Sequence, residues 1–130
     1  VHTIAVDEHT SRKIVNRARF ACTLYRLADE AQVRARIAAH REAFWIASCS
    51  CAAYVLDSGS VQRWDGDGEP FATAGKPMLA ALGGRDVTDV LAVVTVDFAG
   101  VDFDADDRAR VYGDMVSRAI DEAGTVAVKS

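Results

Sequence analysis

No stretch of this sequence is apolar for the roughly 20 residues that a membrane-spanning helix needs, so a helical span is excluded. Cysteines number only three, at Cys22, Cys49 and Cys51. The count is odd, a bridge between Cys49 and Cys51 would be strained, and no zinc-ligand spacing is present. Reduced thiols in a cytoplasmic protein are the expectation. Histidines are equally few: His2 lies at a terminus, His9 in an expected turn and His40 in a basic segment. A thiol nucleophile would therefore lack an evident base, and Cys49 is expected to be buried and inert. The opening Val1-His2-Thr3 reaches charge by Asp7 and does not read as a secretory leader. A surplus of positive charge is also missing, because the formal net charge is -4. That excludes a generally basic nucleic-acid binder. The charge is uneven, however. Residues 1–45 hold 8 Lys/Arg against 5 Asp/Glu, and residues 46–130 hold 7 against 14. A local basic face in the first third is compatible with this split.

What the sequence does contain is ordinary globular material. Half of its 130 residues are apolar and 26% are charged, so one domain spanning 1–130 is expected. Thr3–Val6 suggests a short edge strand, Asp7–Thr10 a turn, and Ile14-Val15 a return to the sheet. Ala18–Leu27 is β-rich. Asp29 is the expected N-cap of an amphipathic helix over Glu30–Glu42, with Arg34, Arg36 and Arg41 on its solvated face. Ser50–Leu56 predicts a strand, Asp57–Ser60 a turn and Val61–Trp64 a hairpin arm. Met78–Leu82 predicts a short helix ended by left-handed Gly83 and Gly84. Val90–Val96 is apolar at nearly every position and predicts a near-central strand with one face covered. Ala105–Glu122 predicts the last helix, closed by Gly124, and Thr125–Val128 a tail or short strand. Strands and helices mix without strict alternation. That predicts an α+β fold, one mostly antiparallel sheet with helices packed on one face.

The most distinctive stretch runs from Asp65 to Pro77. It carries three glycines, two prolines, three acids and a lysine, with no hydrophobic period. Such loops lie on the surface and hold their shape through special backbone positions. Gly68 and Gly75 before a helix could offer N–H groups to an anion, with Lys76 adding charge. It is not a phosphate loop, because Pro77 follows Lys76 and the Walker spacing is absent. Asp65, Asp67 and Glu69 would also oppose a polyanion. The structural alternative has Asp67 and Thr73 capping the loop and helix, with Pro77 in the first turn. A second acidic loop spans Asp97–Asp107. Asp102, Asp104 and Asp106 have the spacing of a calcium-loop start. Asp107 stands where the loop needs glycine and Gly113 where it needs a bidentate glutamate, so a loop capping the last helix is expected. Arg108 and Arg110 oppose the dipole at that helix start. Arg110 is expected to pair with Asp106 or with Glu69, tying the two loops together. Trp45 and Trp64 are expected to serve in core or loop packing, with a binding platform as the alternative.

Four segments in order resemble the first domain of the IMPACT/YigZ-type family. They are Arg17-Ala18-Arg19-Phe20, Ala47–Tyr54, Asp67–Pro77, and Val94–Gly100 continuing into Arg110–Asp114. The likeness covers roughly residues 12–122, and Asp67–Pro77 is its specific part. Several positions depart from the family pattern. Cys49 and Ser50 replace a His and an Asn; Val96 and Asp97 replace an Arg and a Tyr. Phe71 and Ala72 replace a Ser and a Gly, Ala99 replaces a Gly, and Asp102–Asp107 replaces a Lys and a Gly-rich turn. The resemblance implies a diverged member with the fold of the second domain of a small-subunit ribosomal protein, a sheet of about four strands. The family's smaller second domain is expected to be absent from this sequence. The resemblance implies roles in translation or stress regulation and a protein or RNA/ribosome-associated partner, with nucleic-acid binding weakened. The expected binding residues are Asp67, Gly68, Glu69, Thr73, Gly75, Lys76, Asp97 and Arg110. No catalytic residue, metal or cofactor is expected. The competing expectation is a carboxylate- or metal-dependent hydrolase using Asp67, Glu69 and Asp97.

Overall fold

A computed structural model describes residues 1–128. In chain order the strands and helices are β1 (His2–Ile4), β2 (Glu8–Val15), β3 (Ala18–Arg26), α1 (Ala31–Ala43), β4 (Cys49–Leu56), β5 (Val61–Asp65), α2 (Gly75–Gly84), β6 (Val90–Asp97), α3 (Ala105–Ala123) and β7 (Thr125–Ala127). A single 3₁₀ turn, Asp57–Gly59, joins β4 to β5. The main sheet is antiparallel, with the order β2-β3-β6-β4-β5. β1 and β7 pair separately and bring the two ends of the described chain together.

The α+β class is as the sequence implies, but the sheet has five strands rather than four. The extra strand is an edge. β2 is polar from Glu8 to Lys13, so no apolar alternation marks it, and the expected turn at Asp7–Thr10 is mostly strand. The helices also occupy both faces rather than one. Alternate residues of each strand point to opposite sides. Phe20, Cys22 and Leu24 of β3, Cys51, Ala53 and Val55 of β4, and Ala92, Val94 and Val96 of β6 meet Met78, Leu82, Tyr112, Met115 and Val116 of α2 and α3. Tyr25, Ala52, Leu91 and Val93 point the other way and meet Val33 and Ile37 of α1. β6 is thus the central strand and is covered on both faces, which is why it is apolar at every position but Thr95 and Asp97.

The N-cap of α1 is Glu30 rather than the expected Asp29, and its side chain makes no cap bond; the turn leading into it is closed by side chains. The Asp29 carboxylate accepts the Gln32 N–H at 3.3 Å, and the Gln32 side chain accepts the Ala28 N–H at 2.8 Å. α2 starts at Gly75 and runs through Gly83 and Gly84, which keep ordinary helical dihedrals; Arg85 ends it. α3 places Tyr112, Met115, Val116, Ala119 and Ile120 at helical spacing on its buried face. Its cap is Asp104, whose carboxylate accepts the Asp107 N–H at 2.8 Å. Asp106 and Asp107 fill the first turn, where the dipole favours acids.

Candidate functional site

The Asp65–Pro77 loop folds back over the start of β4. Gly66 through Glu69 form a tight turn closed by the Glu69 N–H to the Gly66 carbonyl at 2.9 Å. Both central residues are left-handed, Asp67 at φ 51° and Gly68 at φ 95°. Gly66 is required by proximity: a Cβ there would lie 2.2 Å from the Glu69 carbonyl oxygen. Gly75 is required for the same reason, since a Cβ would sit 2.7 Å from both the Trp64 and Phe71 rings. Trp64 therefore serves loop packing, its ring 5.2 Å from that of Phe71.

Each acid of the loop is bound internally. Asp65 accepts the Asp67 N–H at 3.0 Å and pairs with Arg41 at 3.1 Å. The Arg41 bond, ahead of the Asp67 N–H, holds the Asp65 carboxyl below its ordinary pKa. Asp67 accepts the Ser50 N–H at 2.8 Å and lies 3.8 Å from Arg41. Arg41 also donates to the Ser50 carbonyl at 3.0 Å, so the end of α1, the start of β4 and the loop share one guanidinium. Glu69 joins the loop to α3: its Oε2 accepts the Tyr112 hydroxyl at 2.9 Å and the Arg108 Nε–H at 2.9 Å. Arg108 donates a further bond to the Phe103 carbonyl at 2.6 Å. The Asp97–Asp104 connection is anchored by Phe98 and Phe103, whose rings meet Phe20 edge-on at 6.3 and 5.8 Å.

Beneath Glu69 lies a thiol pair. The buried Cys51 donates to the Gly66 carbonyl at 3.3 Å, and its sulfur is 4.0 Å from Cys49. Cys49 is in turn 3.7 Å from the Tyr112 oxygen. The close contact with Cys49, with burial added, holds the Cys51 thiol well above its ordinary pKa. The contact with Cys51 lowers Cys49 against the opposing effect of burial. Burial, then the two thiols, push the Tyr112 phenol up. Cys49 would ionise first, but its polar partners, Cys51 and Tyr112, are not bases at neutral pH.

A second buried network lies under α1. His40 Nδ1 is 2.7 Å from the Tyr25 hydroxyl and Nε2 is 2.6 Å from the Thr95 hydroxyl. Phe44 stacks on the imidazole at 4.5 Å. Burial, and then Arg41, push the His40 pKa down to about 4. His40 is a core residue that fixes α1 on the sheet.

The expected binding residues divide. Asp67, Gly68 and Glu69 share one turn. Thr73 is buried, its N–H bonded to the Pro70 carbonyl at 3.0 Å, and it does not cap α2, whose N-cap is Ala74. Gly75 is buried below two rings and is no ligand-facing donor. Lys76 is exposed, and its N–H is bonded to the Phe71 carbonyl at 2.8 Å. Asp97 accepts the Ala99 N–H at 3.0 Å and faces the α1 side of the sheet, away from Glu69. Arg110 is exposed and pairs with Asp107, so it does not tie the loops. Arg108 does so instead. Arg108 and Tyr112 are four apart and share a helix face, and that spacing was the signal available. Arg41 belongs to the loop rather than to a solvated face, and no local pattern marks it. Among the described residues, no group of three or more His, Cys, Asp or Glu is placed to hold a metal ion.

The Impact N-terminal domain family matches residues 16–120. IMPACT family member YvyE of Bacillus subtilis (strain 168) is 36% identical over 117 residues, covering 89% of this chain and 54% of YvyE. IMPACT family member YigZ of Escherichia coli (strain K12) is 36% identical over 78 residues, covering 58% of this chain and 38% of YigZ. A solved structure described as that of a hypothetical protein superposes with a TM-score of 0.87 at 29% identity, over 96% of this chain and 62% of that one. The two-domain translational regulator Yih1 superposes with a TM-score of 0.51 at 22% identity, over 95% and 47% of the two chains, a likeness of fold alone. The chain spans about half the length of YvyE. With its first-domain elements in place from β3 to α3, the chain belongs to the IMPACT family.

Proposed function

We propose that the chain is a non-catalytic binding module acting in the regulation of translation or of stress signalling in the cytoplasm. One observation carries this reading: Asp65, Asp67 and Glu69 all accept bonds from the domain's own N–H groups, hydroxyls or cations. They hold the loop in one shape rather than standing free in a cleft. The loop turns Gly68, Phe71 and Lys76 outward, groups suited to contact with a partner. The partner class is a protein or an RNA- or ribosome-associated assembly. The description of Yih1 as a translational regulator supports that direction. The acids close to Lys76 weaken attraction to a free polyanion, so binding to naked nucleic acid is weak.

The competing reading, a hydrolase using Asp67, Glu69 and Asp97, has less support because these carboxylates bond in three different directions. A thermal-shift screen of nucleotides, RNA and divalent ions tests the choice, repeated on Lys76→Ala and Glu69→Gln. Weak stabilisation by RNA, and none by divalent ions, is expected. Turnover of a nucleotide that Glu69→Gln abolishes, or tight salt-sensitive RNA binding lost in Lys76→Ala, overturns it.

A further inference from the structure

The face of the sheet that α1 covers is only partly filled. α1 reaches Tyr25, Leu91 and Val93 but leaves the β2–β3 end open. There Ile14 pairs with Arg19 and Arg12 with Ala21, all on one face, beside Thr95 and Asp97 of β6. The segment after α1 forms the opposite wall with Phe44, Trp45 and Ile46. Together these residues enclose a groove of about 470 Å³. Its apolar content is conspicuous: Trp45 is 77% exposed, Ile46 71% and Ile14 68%. No other large apolar side chain of the described residues exceeds half exposure. Three such side chains clustered around one concavity mark an interaction surface rather than scattered surface hydrophobics.

The rim defines the occupant. Arg12 and Arg19 border the groove, and among the described residues neither has an acidic partner within 4.0 Å. Arg26, Arg41, Arg85 and Arg108 are paired, with Asp7, Asp65, Asp121 and Glu69, whereas Arg12 and Arg19 stand unpaired beside an exposed apolar surface. The groove thus offers unpaired cations around an aliphatic floor, with Asp97 as its one acid. Nucleic acid fits the cations but not the floor. Phe44 already stacks on His40, so Trp45 is the single ring free to stack a base, and Ile14, Ala21 and Ile46 cannot. Apolar side chains do fit Ile14, Trp45 and Ile46, and carboxylates fit the rim.

We infer that the groove between β2, β3 and the Phe44–Ile46 segment docks an acidic, amphipathic segment of a partner protein, with apolar anchors against Trp45 and acids on Arg12 and Arg19. Tryptophan and arginine are the residue types that most often dominate such contacts, and unpaired rim charges speed encounter with an oppositely charged partner. Of the eight binding residues expected from sequence the surface holds only Asp97; Trp45, expected in core or loop packing, is instead exposed here, and the surface does not depend on the loop carrying Glu69.

The probe is a synthetic peptide of leucine and glutamate with helical amphipathic spacing, followed by fluorescence anisotropy. Its controls are a scrambled peptide of the same composition, a leucine–lysine counterpart and poly(U) RNA. The acidic amphipathic peptide is expected to bind about tenfold tighter than any control. Trp45→Ala is expected to weaken it about tenfold, and Arg12→Glu with Arg19→Glu by at least as much. All three positions are exposed, so Trp45→Ala and Arg12→Glu leave the melting temperature near wild type, while Arg19→Glu, opposite Asp97 across the strand pair, is expected to lower it slightly with the protein still folded. Lys76→Ala leaves this binding unchanged, which separates the groove from the loop. Equal binding of the scrambled peptide, preference for RNA, or indifference to Trp45→Ala overturns the inference. So does a dimer in light scattering that Trp45→Ala converts to monomer, because the occupant would then be a second copy.

Discussion

Replacing Glu69 by alanine removes the one side chain that fastens the loop to α3. Two bonds end on its Oε2, and the two donors differ in what they lose. The Tyr112 oxygen belongs to a residue with no exposed surface, and after the change its remaining neighbour is the weak acceptor Cys49 at 3.7 Å. A buried hydroxyl stripped of its acceptor costs about 1–3 kcal/mol. Arg108 is 23% exposed and keeps the Phe103 carbonyl, so losing a carboxylate that is itself 16% exposed adds only about 1 kcal/mol. The expected total is about 3 kcal/mol, within the 5–15 kcal/mol that domains of this kind hold in reserve, so the variant folds. In urea the midpoint is expected to fall by about 1–2 M with an unchanged slope. Tyr112→Phe alone is expected to cost about 1 kcal/mol, and a double-mutant cycle of the two to give a coupling of about 1–2 kcal/mol. An unchanged midpoint for Glu69→Ala, or strictly additive single changes, would refute the view that this carboxylate clamps the loop.

Acid weakens the domain through His40. The folded value of about 4 lies below the ordinary 6.5, so the unfolded chain binds the proton more tightly. The contribution is full above pH 6.5 and is lost as pH falls from 6.5 toward 4. At about 1.4 kcal/mol per pH unit the loss reaches about 3 kcal/mol. Chemical denaturation across that window should show His40→Gln with a correspondingly flatter profile; equal slopes for both proteins rule the linkage out. Gly66→Ala forces a methyl against the Glu69 carbonyl oxygen, backbone that cannot swing aside, at a cost of about 2–4 kcal/mol. Hydrogen exchange should quicken at residues 66–74 in that variant, and native-like protection there contradicts the close-contact reading.

The fold was legible where one residue's environment is set by its neighbours in sequence. β6 is apolar because it is central, and α3 shows its buried face in the spacing of Tyr112, Met115, Val116 and Ala119. The Gly- and Pro-rich loop was legible because its turn needs Gly66 and Gly68. What sequence could not supply was partnership across the fold. β2 is a polar edge, so its pairing with β3 leaves no period to read. The side of the sheet that α1 takes follows from tertiary packing of Val33 and Ile37, which helical spacing alone leaves open. Arg41, 24 residues from Asp65, looked like any solvated arginine. The choice of Arg110 over Arg108 followed the family motif, whereas position on the helix favours Arg108, one turn from Tyr112. The loop's acids suggested either a ligand site or a caps-only loop. The geometry shows a third role, internal cross-linking of α1, β4 and α3.

The most direct test of a binding role in translation is co-sedimentation of the full chain with ribosomal particles at low and high salt, alongside Lys76→Ala and Trp45→Ala. The expected result is a wild-type fraction in the pellet at low salt, reduced by one or both substitutions, with little retention on protein-free RNA. Wild-type protein that stays in the supernatant at every salt concentration, or a pellet fraction indifferent to both substitutions, contradicts it.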